Sequence, residues 1–135
     1  MKDTGPGQYD ARMRTGLAIA FAGALGALAC WGVGSWFGQR FPSFAWGTLV
    51  VNVSGSFVLG LLFALLIEKT AGSPTMRIAL TTGLLGAYTT FSTFSLETMR
   101  MLEEGATGSA VANIGLSLAL GLAAVWLGLT LGRAV

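Results

Sequence analysis

The placement of charge constrains this chain more than any other feature. No charged side chain lies between Arg14 and Arg40, between Arg40 and Glu68, between Arg77 and Glu97, or between Glu104 and Arg133. A helix needs about 20 predominantly apolar residues to cross the hydrocarbon of a bilayer. Each run is close to that length or beyond it. The pattern predicts four transmembrane helices, at about residues 15–37, 46–67, 76–101 and 109–132, joined by short connections. Charged residues make up only 10% of the chain, where a soluble domain carries roughly 25%. With 53% hydrophobic residues and 20 glycines, so few charges cannot coat a water-exposed surface. The natural solvent is lipid, and the fold class is all-α integral membrane.

The whole chain, residues 1–135, reads as a single four-span domain preceded by a mobile cytoplasmic tail over residues 1–13. The first span is not a signal peptide. It lacks a cleavage pattern, and three more spans follow it. Histidine is absent and Cys30 is the only cysteine, so imidazole chemistry, an internal disulfide and a thiolate metal site are all excluded. No enzyme is expected. The net charge of +2 comes from scattered basic residues, so no nucleic-acid partner is expected either. Lys2, Arg12, Arg14, Lys69, Arg77 and Arg133 fall on one side of a four-span topology, and Arg40 and Arg100 on the other. By the positive-inside rule, both termini are cytoplasmic. Gly34 and Gly38, Gly128 and Gly132, and Ser56 and Gly60 are small pairs four residues apart, the spacing that lets membrane helices approach closely.

Polar groups at membrane depth face a partner, a cavity or a neighbouring helix, and each is a functional candidate. In the second span Thr48, Asn52, Gly55 and Ser56 share one helical stripe. Asn52 either hydrogen-bonds a neighbouring helix or offers its amide to a ligand. The third span reads TTGLLGAYTTFSTFSLET over residues 81–98, which is rich in hydroxyls for a membrane segment. Gly83 and Gly86 followed by Tyr88-Thr89-Thr90 predict a helix break, tolerated at depth where freed backbone lines a cavity or binds an ion. Phe91 and Phe94 lie one turn apart beside a polar stripe of Thr90, Thr93 and Glu97. An aromatic ring is electropositive at its edge, so two rings seen edge-on can favour an anion without trapping it. The alternative is ordinary packing. Asn113 and Ser117 share a face of the fourth span. Glu97 and Arg100 can pair at i, i+3 or reach separately to water. No acidic or basic residue lies deep in the first, second or fourth span, which favours a passive path lined by neutral donors.

GTLVVNVSGSFVLG (Gly47 to Gly60) and TTGLLGAYTTFSTFSLE (Thr81 to Glu97) closely resemble the Fluc (CrcB) fluoride-channel family, and the likeness extends over nearly all of the chain after the tail. The resemblance implies an antiparallel, dual-topology homodimer in the cell inner membrane, with a second copy inverted as partner. It implies a fluoride-selective passive channel that exports fluoride from the cytoplasm and lowers its toxicity. Asn52 then corresponds to a pore asparagine, and Phe91 and Phe94 to ring-edge phenylalanines on the fluoride route. Thr48, Thr93, Glu97, Asn113 and Ser117 are candidates for the polar track beside the rings. Gly86 and Thr89 correspond to positions whose backbone carbonyls hold a structural sodium ion at the dimer centre.

The chain departs from that family at Cys30, where an arginine commonly stands, and at Ala87, where glycine is frequent. The unequal basic residues also sit awkwardly with a chain inserted both ways, and we read the bias as too weak to fix orientation. Two other classes stand beside the channel. A small proton-coupled multidrug exporter also has four spans, but needs a carboxylate in the first, which this chain lacks. A structural subunit would use the polar residues only as glue between helices.

Overall fold

The computed structural model describes residues 6–69 and 71–135, and the described residues form helices and short connections. The first helix, α1 (Pro6–Arg40), has 35 residues. At roughly 1.5 Å per residue it is about 50 Å long, well over the ~30 Å hydrocarbon of a bilayer. The expected tail is therefore helical from Pro6 onward, and residues 1–5 lie outside the described residues. Two local features account for the early start. Proline is well tolerated in a first helical turn, and Asp10 and Arg14 form an i, i+4 ion pair at 2.7 Å.

After a turn over residues 41–45, α2 (Trp46–Leu62) runs on through a wider π-helical turn, Phe63–Glu68. The third span is composite. Its first helix, α3 (Pro74–Ile78), starts at Ser73, whose hydroxyl accepts from Met76 N–H at 3.2 Å. A π-helical stretch, Ala79–Leu85, leads into the single turn α4 (Gly86–Tyr88). The backbone is extended at Thr89 and Thr90, and α5 (Phe91–Glu103) then resumes. Finally α6 (Thr107–Ala134) runs to the end of the chain. Among the described residues, three helices are long and apolar enough to cross a membrane: α1, α2 with its π turn, and α6. The third expected span is shared among α3, the π stretch, α4 and α5. The sequence-predicted break is present, and it falls at Thr89 and Thr90, just after the glycines.

Small residues bring the helices together. The most extensive packing is between α2 and α6, followed by α1 against the π stretch 79–85. A Cβ at Gly60 would collide with the Val125 carbonyl, and one at Gly128 with the Phe57 carbonyl. One at Gly132 would lie 2.7 Å from Ala64 Cβ. The Gly128/Gly132 pair thus serves the close approach its spacing predicts. The Gly34/Gly38 pair divides: Gly47 packs on the Gly34 carbonyl, whereas a Cβ at Gly38 would meet nothing within 4 Å. The fully enclosed residues are few, among them Leu49, Val51, Ala64 and Ala110. Large apolar side chains such as Phe21, Trp31, Leu122 and Trp126 point outward. This inversion suits a chain whose surroundings are lipid and other helices.

Candidate functional site

The break in the third span is made by a residue on α2. Asn52 Nδ2 donates to the Thr90 carbonyl at 3.0 Å, and Thr90 N–H donates to Asn52 Oδ1 at 2.8 Å. The side-chain amide thus pairs with the main chain as another peptide group would. Gly55, one turn along the same face, makes room: a Cβ there would collide with Thr89 Cγ2 and crowd the Tyr88 ring. Tyr88 is itself tethered to α2. Ser54 Oγ donates to the Val50 carbonyl at 2.7 Å, so in the 2.8 Å contact between the two hydroxyls Tyr88 is the donor.

The clamp redistributes backbone hydrogen bonds. In a continuous helix Thr90 N–H would serve the Gly86 carbonyl and Thr93 N–H the Thr89 carbonyl. Here Thr90 N–H goes to Asn52, and Thr93 N–H goes to Thr90 Oγ1 at 3.2 Å, the N-cap of α5. Gly86 and Thr89 therefore lose their helical donors. These are the two positions singled out for sodium. A carbonyl released from its helix is a hard oxygen donor of the kind that suits such a cation, so the residues fit the ion. No cluster of His, Cys, Asp and Glu able to hold a metal exists among the described residues.

Two open clefts flank the break, and Thr90 lines both. One, of about 400 Å³, is bordered by Cys30, Thr48, Thr93 and Glu97 together with the α1 glycines Gly34 and Gly38. The other, of about 290 Å³, is bordered by Asn52, Ser56, Thr81, Gly86, Thr89 and Phe91. The Phe91 and Phe94 rings pack together with centroids 5.7 Å apart and planes tilted by 43°. Phe91 is 79% exposed, an unusual state for so large an apolar ring and one that leaves its edge open to whatever adjoins this face.

The remaining candidates lie on α5 and α6, which Asn113 joins. Asn113 is fully buried and its Nδ2 donates to Thr98 Oγ1 at 2.9 Å. Thr98 Oγ1 in turn donates to the Phe94 carbonyl at 2.7 Å. Among the described residues, three buried side-chain polar atoms have no hydrogen-bond partner: Glu97 Oε2, Asn113 Oδ1 and Ser117 Oγ. Glu97 and Arg100 form no ion pair. All three residues were singled out from the sequence, and unsatisfied polar atoms in a buried seam mark a place where something else supplies the partner.

The structure thus gathers Asn52, Thr48, Thr93, Glu97, Gly86, Thr89 and Phe91 around the break and its clefts, and Asn113 with Thr98 between α5 and α6, with Ser117 one turn beyond Asn113. Phe94 belongs to both groups through its ring and its carbonyl. Sequence reasoning missed Thr98, Ser54 and the ion pair of Arg133 with Glu68, whose Nη2 to Oε1 distance is 2.6 Å. The first two contacts join different helices and leave no local signal.

Residues 17–129 match the family described as CrcB-like protein, Camphor Resistance (CrcB). The chain is 48% identical over 120 residues to the fluoride-specific ion channel FluC of Acidobacterium capsulatum, covering 88% of this chain and 96% of that one. It is 50% identical over 121 residues to FluC of Hydrogenovibrio crunogenus, covering 87% and 89%. FluC of Rhizobium meliloti is 48% identical over 120 residues, covering 88% and 96%. By the match over residues 17–129 and by these relatives, the chain belongs to the CrcB-like, or Fluc, family.

Proposed function

We propose that this protein is a fluoride-selective passive ion channel, assembled from two antiparallel copies in the cell inner membrane. The observation that carries this reading is the break held open by Asn52, with the Phe91–Phe94 ring pair beginning one residue beyond it. Fluoride is small and strongly hydrated, so a selective route replaces its water shell stepwise with donors that bind without trapping. Thr48 and Thr93 hydroxyls, ring edges of Phe91 and Phe94, and the Asn113 and Ser117 side chains are donors of that kind. Glu97 borders the same cleft. The exposed face of Phe91 is where the inverted second copy sits.

A structural sodium ion at the dimer centre would be held by the Gly86 and Thr89 carbonyls of both copies. Its positive charge would favour an anion nearby. The residues around it bind and orient, and none needs to move a proton. Flux runs down the fluoride gradient. For a cell whose cytoplasm ionises entering hydrogen fluoride, that direction is export, and it lowers fluoride toxicity.

The deciding experiment is efflux from proteoliposomes, with fluoride and chloride compared side by side. Rapid fluoride loss with negligible chloride loss is the expected result. Equal loss of both ions, or no efflux from folded dimeric protein, would overturn the reading.

A further inference from the structure

We infer that Thr98 is a pivot that lets the buried Asn113 amide turn over to bind the permeating anion, an inference that rests on the channel reading above. A threonine hydroxyl has one proton to give and two lone pairs to accept with. As the structure stands, Thr98 Oγ1 accepts from Asn113 Nδ2 and gives its own proton to the Phe94 carbonyl. This arrangement leaves Asn113 Oδ1 buried and without a partner. The orphan is an oxygen, so an anion passing along the seam would be repelled by it.

A half-turn of the amide about its last torsion, which is broad and roughly two-fold, reverses the polarity. Thr98 then swings its proton from the Phe94 carbonyl to Asn113 Oδ1. The Phe94 carbonyl keeps the Thr98 N–H of the α5 ladder, so nothing on α5 is stranded. Both Asn113 N–H groups now occupy the position of the former orphan. Ser117, one helical turn along α6, has a buried hydroxyl with no partner and adds a further donor. The turned state is costly in an empty seam, where several donors lack acceptors, and is favoured when an anion is present to receive them. Thr98 touches no anion. It is a positioning residue, and its hydroxyl serves both orientations because one atom both donates and accepts.

The sequence supplies a clean probe, because it contains two asparagines, Asn52 and Asn113. Selective 15N-asparagine labelling gives two side-chain NH2 pairs, assigned with Asn113→Asp. Chloride is replaced by fluoride at constant sodium in detergent-solubilised dimer. The Asn113 pair is expected to shift and saturate with fluoride. In Thr98→Val that response disappears while the Asn52 pair persists, and fluoride efflux falls by about tenfold; Thr98→Ser restores both. The wild-type titration stands alone should Thr98→Val not fold. An Asn113 pair indifferent to fluoride, in protein that conducts fluoride, overturns the pivot and leaves the channel reading intact. Folded, dimeric wild-type protein without efflux overturns the channel reading, and the pivot with it.

Discussion

Asn52 grips the main chain of Thr90 by both of its hydrogen-bonding groups, through bonds of 3.0 and 2.8 Å across 38 residues of sequence. The opening in the third span is thereby fixed from α2. Asn52→Ala removes both bonds and strands the Thr90 N–H in a partly buried site, the Thr90 carbonyl keeping the Phe94 N–H of the first turn of α5. The loss is expected to be on the order of 1–3 kcal/mol, read from denaturant unfolding in detergent, with reduced fluoride efflux. Wild-type stability and wild-type efflux together would show that the clamp does neither job.

Replacing either ring tests the aromatic part of the route. Phe91→Ile and Phe94→Ile keep apolar bulk and remove the electropositive edge. Each is expected to lower fluoride efflux by about tenfold or more, equivalent to ~1.4 kcal/mol in the barrier. Dimer content should stay unchanged by size exclusion. Undiminished efflux in both variants would assign the rings to packing.

Sodium is tested through assembly. On the proposed reading, exchanging sodium for a bulky organic cation leaves the Gly86 and Thr89 carbonyls without a ligand, and the proposed dimers should dissociate sooner. Subunit exchange between two fluorescently labelled pools measures this directly. An exchange rate indifferent to sodium removes these carbonyls from the site.

The contact of α2 with α6 predicts a contrast between glycines. Gly128→Ala drives a methyl into the Phe57 carbonyl, and overpacking of this sort costs about 1–3 kcal/mol. Gly115→Ala, where a Cβ meets nothing within 4 Å, is expected to be neutral or to gain up to about 1 kcal/mol in helix propensity. Unfolding of the two variants side by side decides it; equal effects would mean that the helices have room to separate.

Cys30 borders the larger cleft, where Glu97 is the charged neighbour. Cys30→Arg adds a cation there and is expected to raise efflux at low fluoride, an effect that fades with ionic strength. Unchanged low-fluoride efflux would remove electrostatic attraction from the role of this cleft.

Three long apolar helices, α1, α2 with its π turn and α6, fall where charge-free runs predicted them, because the cost of a charge in hydrocarbon leaves little choice of boundary. The stripe of Thr48, Asn52 and Gly55 was equally plain, and all three face the break or a cleft beside it. The position of the break was only approached. Gly83 and Gly86 marked the region, yet both stay helical, and Gly83 serves instead to admit α1, where a Cβ would lie 2.9 Å from the Ile19 carbonyl. The opening itself comes from a side chain on another helix, which local propensity does not register. Thr98 escaped notice for the same reason: its meaning lies in Asn113, on the helix that returns past it. The expected tail differs in the opposite direction: α1 extends back to Pro6, with an i, i+4 ion pair of Asp10 and Arg14 on its first turns.

Consider the third segment before α2 lies beside it. Thr90 N–H and the Gly86 carbonyl then have only each other, and the ladder closes into an ordinary helix. The bent form belongs to the hairpin of two segments, acquired when they meet inside the bilayer. It follows that the freed Gly86 and Thr89 carbonyls come into existence late in assembly, and that an unpaired third segment passes through the membrane as a plain rod.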